Sequence, residues 1–255
     1  MLKLIRNILG PIVFLFLTFV VFFFVCTQPF GKNTIRRGVR IYRALGWMFN
    51  IRMKVLNKDP QPNDQPAVYI CNHQDDADMV VWSYMWPENT TVIGKKELLY
   101  IPIFGVAYWI AGGIFIDRAD KKKAWQVIEQ MADKINSLNR SIIVFPEGTR
   151  NNGKGLLPFK KGAFSAAIQA GVPIIPIAVS SCNLVDRSQL TPNTVLIEHM
   201  EPVSTEGLTQ DDAANLAKHC HKIMEEKIAE LDEKVLSHEE ERLGYMDKAR
   251  ELFHL

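Results

Sequence analysis

Hydrophobic positions fall into three patterns along this chain. From Ile8 to Cys26 nineteen residues pass without a charge. As a helix rising ~1.5 Å per residue, that run would be roughly 28 Å long, close to the apolar thickness of a bilayer. No small-x-small cleavage site follows it, which favours an anchor over a cleaved signal peptide. Gly10 and Pro11 interrupt its start, leaving both spanning and one-leaflet embedding open.

The second pattern covers Ile35 to Phe49, where Ile35, Val39, Tyr42 and Phe49 recur at helical spacing while Arg36, Arg40, Arg43 and Trp47 share the other face. Such a helix can lie in a headgroup layer or pack on a domain surface, and the pattern does not choose between them.

The third pattern begins after a polar linker, Asn57 to Gln65, with Pro60 and Pro62. Short apolar runs (Val68–Cys71, Thr91–Ile93, Ile114–Ile116, Ser141–Phe145, Ile174–Val179 and Val195–Glu198) alternate with helical stretches. That alternation predicts an α/β fold, a mixed sheet flanked by helices. The clearest helix is Lys121 to Leu138, with a stripe of Ala124, Ile128, Met131, Ile135 and Leu138 and Asp120 as its cap. Pro173 and Pro176 argue that the Ile174–Val179 strand starts late or lies near an edge. Asp211 to Arg250 reads as a helix with an acidic surface. The organisation expected is therefore 1–56 as membrane anchor and amphipathic helix, then 57–255 as the catalytic domain.

Charge adds an orientation. The net charge is only +2, but residues 1–60 hold ten Lys and Arg against the single acid Asp59, whereas 201–255 hold fourteen acids against seven bases. Basic residues that flank an apolar run fit an anionic lipid surface better than a nucleic acid. More of them follow the run (Lys32, Arg36, Arg37, Arg40, Arg43) than precede it (Lys3, Arg6), which places the catalytic domain in the cytoplasm. The four cysteines lack metal-ligand spacing and fit a reducing compartment. His219 and His221 point to different helix faces and make no metal site.

Two segments carry most of the chemistry. Asn72-His73-Gln74-Asp75-Asp76-Ala77-Asp78 sits between an apolar run and a helical pattern. A neutral imidazole there can accept a proton from an alcohol, and a carboxylate on its other nitrogen would fix the tautomer. Five-residue spacing does not align side chains on a straight helix, so His73 must lie in the turn if Asp78 is its partner. Asp75 and Asp76 can serve as first-turn acids. Phe145-Pro146-Glu147-Gly148-Thr149-Arg150 follows another strand pattern, with Gly148 for close backbone approach, a hydroxyl on Thr149 and a forked cation on Arg150 for phosphate oxygens. Gly112 to Arg118 ends a third run in Asp117 and Arg118. There is no Gly-x-Ser-x-Gly elbow and no serine or cysteine paired with the histidine, so nothing here calls for a covalent intermediate.

These three segments in order, followed by Val172-Pro173-Ile174-Ile175-Pro176-Ile177, resemble the glycerolipid acyltransferase family, most closely its bacterial 1-acyl-sn-glycerol-3-phosphate acyltransferase branch. Gly94 to Leu98 and Leu157 to Gly162 add to the likeness. The resemblance implies acyl transfer from an acyl-carrier-protein or coenzyme A thioester to the sn-2 hydroxyl of lysophosphatidic acid, at the bacterial inner membrane, with no resident cofactor or metal. It also implies His73 as catalytic base and Asp78 as its orienting acid. Lys95, Lys96, Arg118, Glu147, Gly148, Thr149 and Arg150 are then acceptor-binding residues. Rival readings are a relative acting on another lysolipid, a membrane-bound hydrolase and a non-catalytic lipid-binding scaffold.

Overall fold

A computed structural model describes residues 2–62, 64–76, 78–116, 124–184 and 193–253. Asp120, Lys121 and Arg118, singled out above, lie outside the described residues.

The sheet is what positions everything else. Seven strands, β1 (Ile51–Val55), β2 (Val68–Cys71), β3 (Thr90–Lys95), β4 (Ile114–Ile116), β5 (Ser141–Val144), β6 (Ile174–Val179) and β7 (Asn193–His199), stand in the order β1-β7-β6-β2-β5-β3-β4. All neighbouring pairs are parallel except β6 with β7. The central strands are covered on both faces, which is why their sequences read as unbroken apolar runs rather than alternations. Tyr69 and Cys71 face one core while Val68 and Ile70 face the other.

On the first face lie α1 (Leu2–Thr27), α2 (Thr34–Arg40), a 3-10 turn (Ile41–Leu45), α3 (Gly46–Phe49), α4 (Asp78–Met85) and α5 (Phe104–Ile110). On the second lie α6 (Ala124–Leu138), α7 (Gly162–Ala170) and α8 (Ala213–Phe253). Of the predicted α6 stripe, Ile128, Met131 and Ile135 are buried, whereas Leu138 at the helix end is exposed.

Three expectations change. Ile51–Val55 is a strand that the apolar runs did not reveal, because it has only the alternation of a half-covered edge: Ile51 and Met53 are buried, Arg52 and Lys54 exposed. The sheet thus begins ahead of the Asn57–Gln65 linker. Second, β6 occupies the sheet interior over its full length despite Pro176. Its ladder to β7 covers Ile177 to Val179 and resumes at the Ile174–Val203 bridge; between them Pro176 still accepts Met200 N–H at 2.8 Å, so its missing N–H falls in the gap between ladder and bridge.

Third, Ile35 to Phe49 is not one continuous helix, and of the two settings left open the structure shows packing on the domain. It bends through a 3-10 turn and packs on the domain, with Ile35, Tyr42 and Leu45 buried. Part of its basic face turns inward: Arg36 donates to Trp86 O at 3.1 Å and to Glu88 at 2.6 Å, and Arg43 donates to Ser83 O at 3.0 Å and lies over the Tyr84 ring.

α1 packs lengthwise on these elements. Gly38 of α2 allows close approach, since a Cβ there would meet Val21 and Val25 at 3.4 and 3.5 Å. Thr18 and Tyr42 share a hydrogen bond at 3.0 Å. Leu17 and Val25 are buried, while Ile12, Leu15, Phe16, Phe19 and Phe23 are left exposed.

Candidate functional site

Because β2 to β6 run parallel, their carboxyl ends open on one edge of the sheet, the usual place for a ligand in an α/β fold. The histidine segment leaves β2 there and the Phe145–Arg150 segment leaves β5 beside it.

Backbone hydrogen bonds zip the two segments together. Asn151 N–H donates to His73 O at 2.9 Å and Asn152 N–H to Gln74 O at 3.0 Å. Asn72 locks onto the end of β6, its amide donating to Val179 O at 2.9 Å and its oxygen accepting Val179 N–H at 3.0 Å. Gln74 spans to the next loop, donating to Ser180 O and accepting Cys182 N–H at 2.7 Å.

His73 sits in the turn and Asp78 opens α4, which resolves the five-residue spacing. Asp78 Oδ2 meets His73 Nδ1 at 2.6 Å and accepts Gln74 N–H at 2.8 Å. The Asp78 side chain is 3% exposed and that of His73 17%. Burial pushes the Asp78 carboxyl above the usual carboxylate range, and its hydrogen bond to His73 opposes the rise. With Nδ1 turned to the acid, Nε2 is the nitrogen left for chemistry. The imidazole lies 4.7 Å from the Phe145 ring, which stacks on Trp82 at 5.0 Å. Trp82 in turn lines an apolar cavity enclosed by α1, α2, α4 and α5, with Val25, Tyr42, Trp86, Ala107 and Ala111 among its walls.

Glu147 is placed differently from an acceptor-binding group. It is 3% exposed, and its two carboxylate oxygens take the backbone N–H groups of His73 (2.6 Å) and Leu157 (2.9 Å). Burial raises its pKa against those two donors. It is a tether between loops.

Gly148 has φ +71°, in the left-handed region where glycine is favoured, and a Cβ on it would lie 2.5 Å from Lys160 Nζ. Thr149 and Arg150 are exposed. Arg150 pairs with exposed Asp76 at 2.6 Å. Lys96 is exposed on the turn after β3, two strands from β2, and Lys95 ends that strand. The structure therefore gathers His73, Asp78, Glu147, Gly148 and Arg150 into one constellation. Lys160, Asn72, Gln74 and Trp82 join it without having been placed in the site from sequence. Lys160 had a visible signal in the Leu157–Gly162 segment and Asn72 and Gln74 in the Asn72–Asp78 segment, whereas Trp82 had none. Cys71 is fully buried and its thiol is held well above the normal range by burial, which removes it as a nucleophile.

Residues 52–180 match the family model described as Acyltransferase. The chain is 46% identical over 208 residues to the 1-acyl-sn-glycerol-3-phosphate acyltransferase of Haemophilus influenzae, covering 80% of this chain and 86% of that protein. It is 41% identical over 200 residues to the enzyme of the same name from Escherichia coli, covering 78% and 82%. In fold it is similar to the crystal structure of the 1-acyl-sn-glycerophosphate (LPA) acyltransferase PlsC from Thermotoga maritima, with a TM-score of 0.67, 22% identity, and coverage of 90% of this chain and 94% of that one.

Proposed function

The chain belongs to the acyltransferase family, and from that premise we propose how its own residues carry out the reaction. It is a 1-acylglycerol-3-phosphate O-acyltransferase that acylates lysophosphatidic acid to phosphatidic acid in phospholipid synthesis. The donor in this reading is a fatty acyl thioester on acyl carrier protein or coenzyme A.

The observation that carries the mechanism is the 2.6 Å contact between His73 Nδ1 and buried Asp78. With Nδ1 engaged by the acid, Nε2 is the nitrogen that takes the proton of the sn-2 hydroxyl as that oxygen attacks the thioester carbonyl. The C–O bond forms, the tetrahedral intermediate collapses with loss of the C–S bond, and the leaving thiolate recovers the proton from the imidazolium. Asp78 stabilises the imidazolium between those two events. Arg150, with Lys160 beside Gly148, supplies positive charge for the acceptor phosphate. The cavity behind Trp82 suits an acyl chain, since nearly all of its wall is apolar.

The protein associates with membrane through α1, whose run Ile8–Thr27 is long and apolar enough to cross a bilayer. Its lengthwise packing against α2 and α5 favours embedding in one leaflet with the domain alongside, on the cytoplasmic side of a bacterial inner membrane. The test is the purified protein in vesicles given lysophosphatidate and an acyl thioester. Phosphatidate formed one-for-one with free thiol supports transfer. Free fatty acid instead would make it a hydrolase, and no thiol at all a scaffold.

A further inference from the structure

From Leu98 to Ile116 the chain carries no charged residue, yet this stretch is no membrane-crossing helix: it folds as the end of a 3-10 turn, α5 and β4. Much of it is on the surface. Leu99, Tyr100, Ile101, Val106 and Trp109 are 42, 77, 46, 47 and 53% exposed. A contiguous apolar patch of this kind marks an interaction surface.

What covers it follows from its neighbour. α5 packs directly on α1, and Phe30, just beyond α1, donates its N–H to Ile110 O at 2.8 Å and sets its ring edge-on to Trp109 at 5.2 Å. The patch is thus continuous, through Phe30, with the apolar face that α1 leaves exposed. Its composition suits a lipid boundary: a tyrosine and a tryptophan among aliphatic side chains, with Lys96 exposed at its start.

We propose that Leu99, Tyr100, Ile101, Val106 and Trp109 form a second membrane-contact surface, immersed in the same leaflet as α1. This rests on the reading of α1 as the membrane anchor. The enzyme then meets the bilayer along two elements of the fold, one at the N-terminus and one between β3 and β4. The cavity behind Trp82, walled by both α1 and α5, lies between the two contacts, next to the lipid phase from which the acceptor comes.

Site-directed spin labelling of the full chain in phosphatidylethanolamine–phosphatidylglycerol vesicles tests this. In a Cys26→Ser background, labels go on Ile101→Cys and Val106→Cys, with Phe16→Cys on α1 as lipid reference and Gln169→Cys on α7 as aqueous reference. The expected result is that positions 101 and 106 collide preferentially with oxygen, like 16, and not with an aqueous nickel chelate, like 169. If 101 and 106 follow 169 while 16 follows lipid, the second surface is overturned and the anchor stands. If 16 also follows 169, both fall. Protection from both reagents with dipolar broadening between labels would assign the patch to a second copy of the chain and overturn the proposal.

A functional arm uses Ile101→Glu with Val106→Glu, both at exposed positions. Activity on long-chain lysophosphatidate in vesicles should fall several-fold, while activity on a short-chain acceptor free in water stays unchanged. Equal activity on both acceptors, at wild-type level, would count against immersion.

Discussion

The backbone N–H of His73 donates to Glu147 Oε1 at 2.6 Å, so the segment that leaves β5 holds the segment that leaves β2. The second oxygen of the same carboxylate holds Leu157. One buried acid therefore fixes the backbone of His73 without touching its imidazole.

Replacing Glu147 by Gln leaves one acceptor for two buried N–H donors. Stability should drop by about 1–3 kcal/mol and turnover should fall with it, because His73 loses its fixed backbone. Since burial raises the Glu147 pKa in the fold, the folded chain binds this proton more tightly than the unfolded chain does. Its contribution to stability is greatest in acid and declines as pH rises from the ordinary carboxylate range through the raised pKa. The wild-type margin over Glu147→Gln should narrow across that window, and thermal melts of both proteins against pH would show it; a margin that widens contradicts the placement.

Loss of the base should be near-complete. His73→Ala is expected to cost ~10² to 10⁴ in kcat. Asp78→Asn should approach the same loss, as an amide cannot stabilise the imidazolium. Asp75→Ala should stay close to wild type, and damage there exceeding that of Asp78→Asn would reassign the orienting acid.

For the acceptor phosphate, Arg150→Ala should raise KM for lysophosphatidate with a smaller change in kcat, and Arg150→Lys should restore only part of the affinity because it loses the planar fork. The Asp76 partner is 75% exposed, so Asp76→Ala should shift stability by less than about 1 kcal/mol. Steady-state kinetics on acceptors with and without the phosphate separate these effects. A wild type indifferent to the phosphate would remove Arg150 from this role.

Membrane attachment should resist salt. Each basic residue near an anionic surface is worth roughly 1 kcal/mol and is screened, whereas a buried apolar helix is not. Washing membranes at high ionic strength should leave the full chain in the pellet. Deleting residues 1–30 removes Leu17 and Val25 from the core and Thr18, Val21 and Val25 from the cavity wall. That deletion should abolish activity even on detergent-dispersed acceptor; full activity in detergent would make α1 a tether and nothing more.

How much of this was legible beforehand depends on the range of the interactions. The His73 segment could be singled out because its polar residues lie in one turn, but the pairing of His73 with Asp78 came from the family resemblance, since five-residue spacing aligns nothing on a straight helix. The tethering role of Glu147 could not, since it depends on a backbone N–H seventy-four residues away. β6 was misplaced because Pro176 argues locally against a central strand, while the gap in its neighbour's ladder is a tertiary fact. Likewise, a helical wheel could not choose between lipid and domain for Arg36 and Arg43, because α4, which supplies Ser83 and Tyr84, is not on that wheel.

The strand Ile51–Val55 has its partner in Asn193–His199, so the order of synthesis separates them by most of the chain. Parallel pairing at such separation is slow to form. α1 emerges first and can settle in the bilayer while β1 waits with a bare edge. Arg52 and Lys54 on its exposed side are the kind of charge that discourages wrong partners along such an edge. The same two residues remain on the outside once β7 arrives, so a guard needed during folding becomes part of the finished rim.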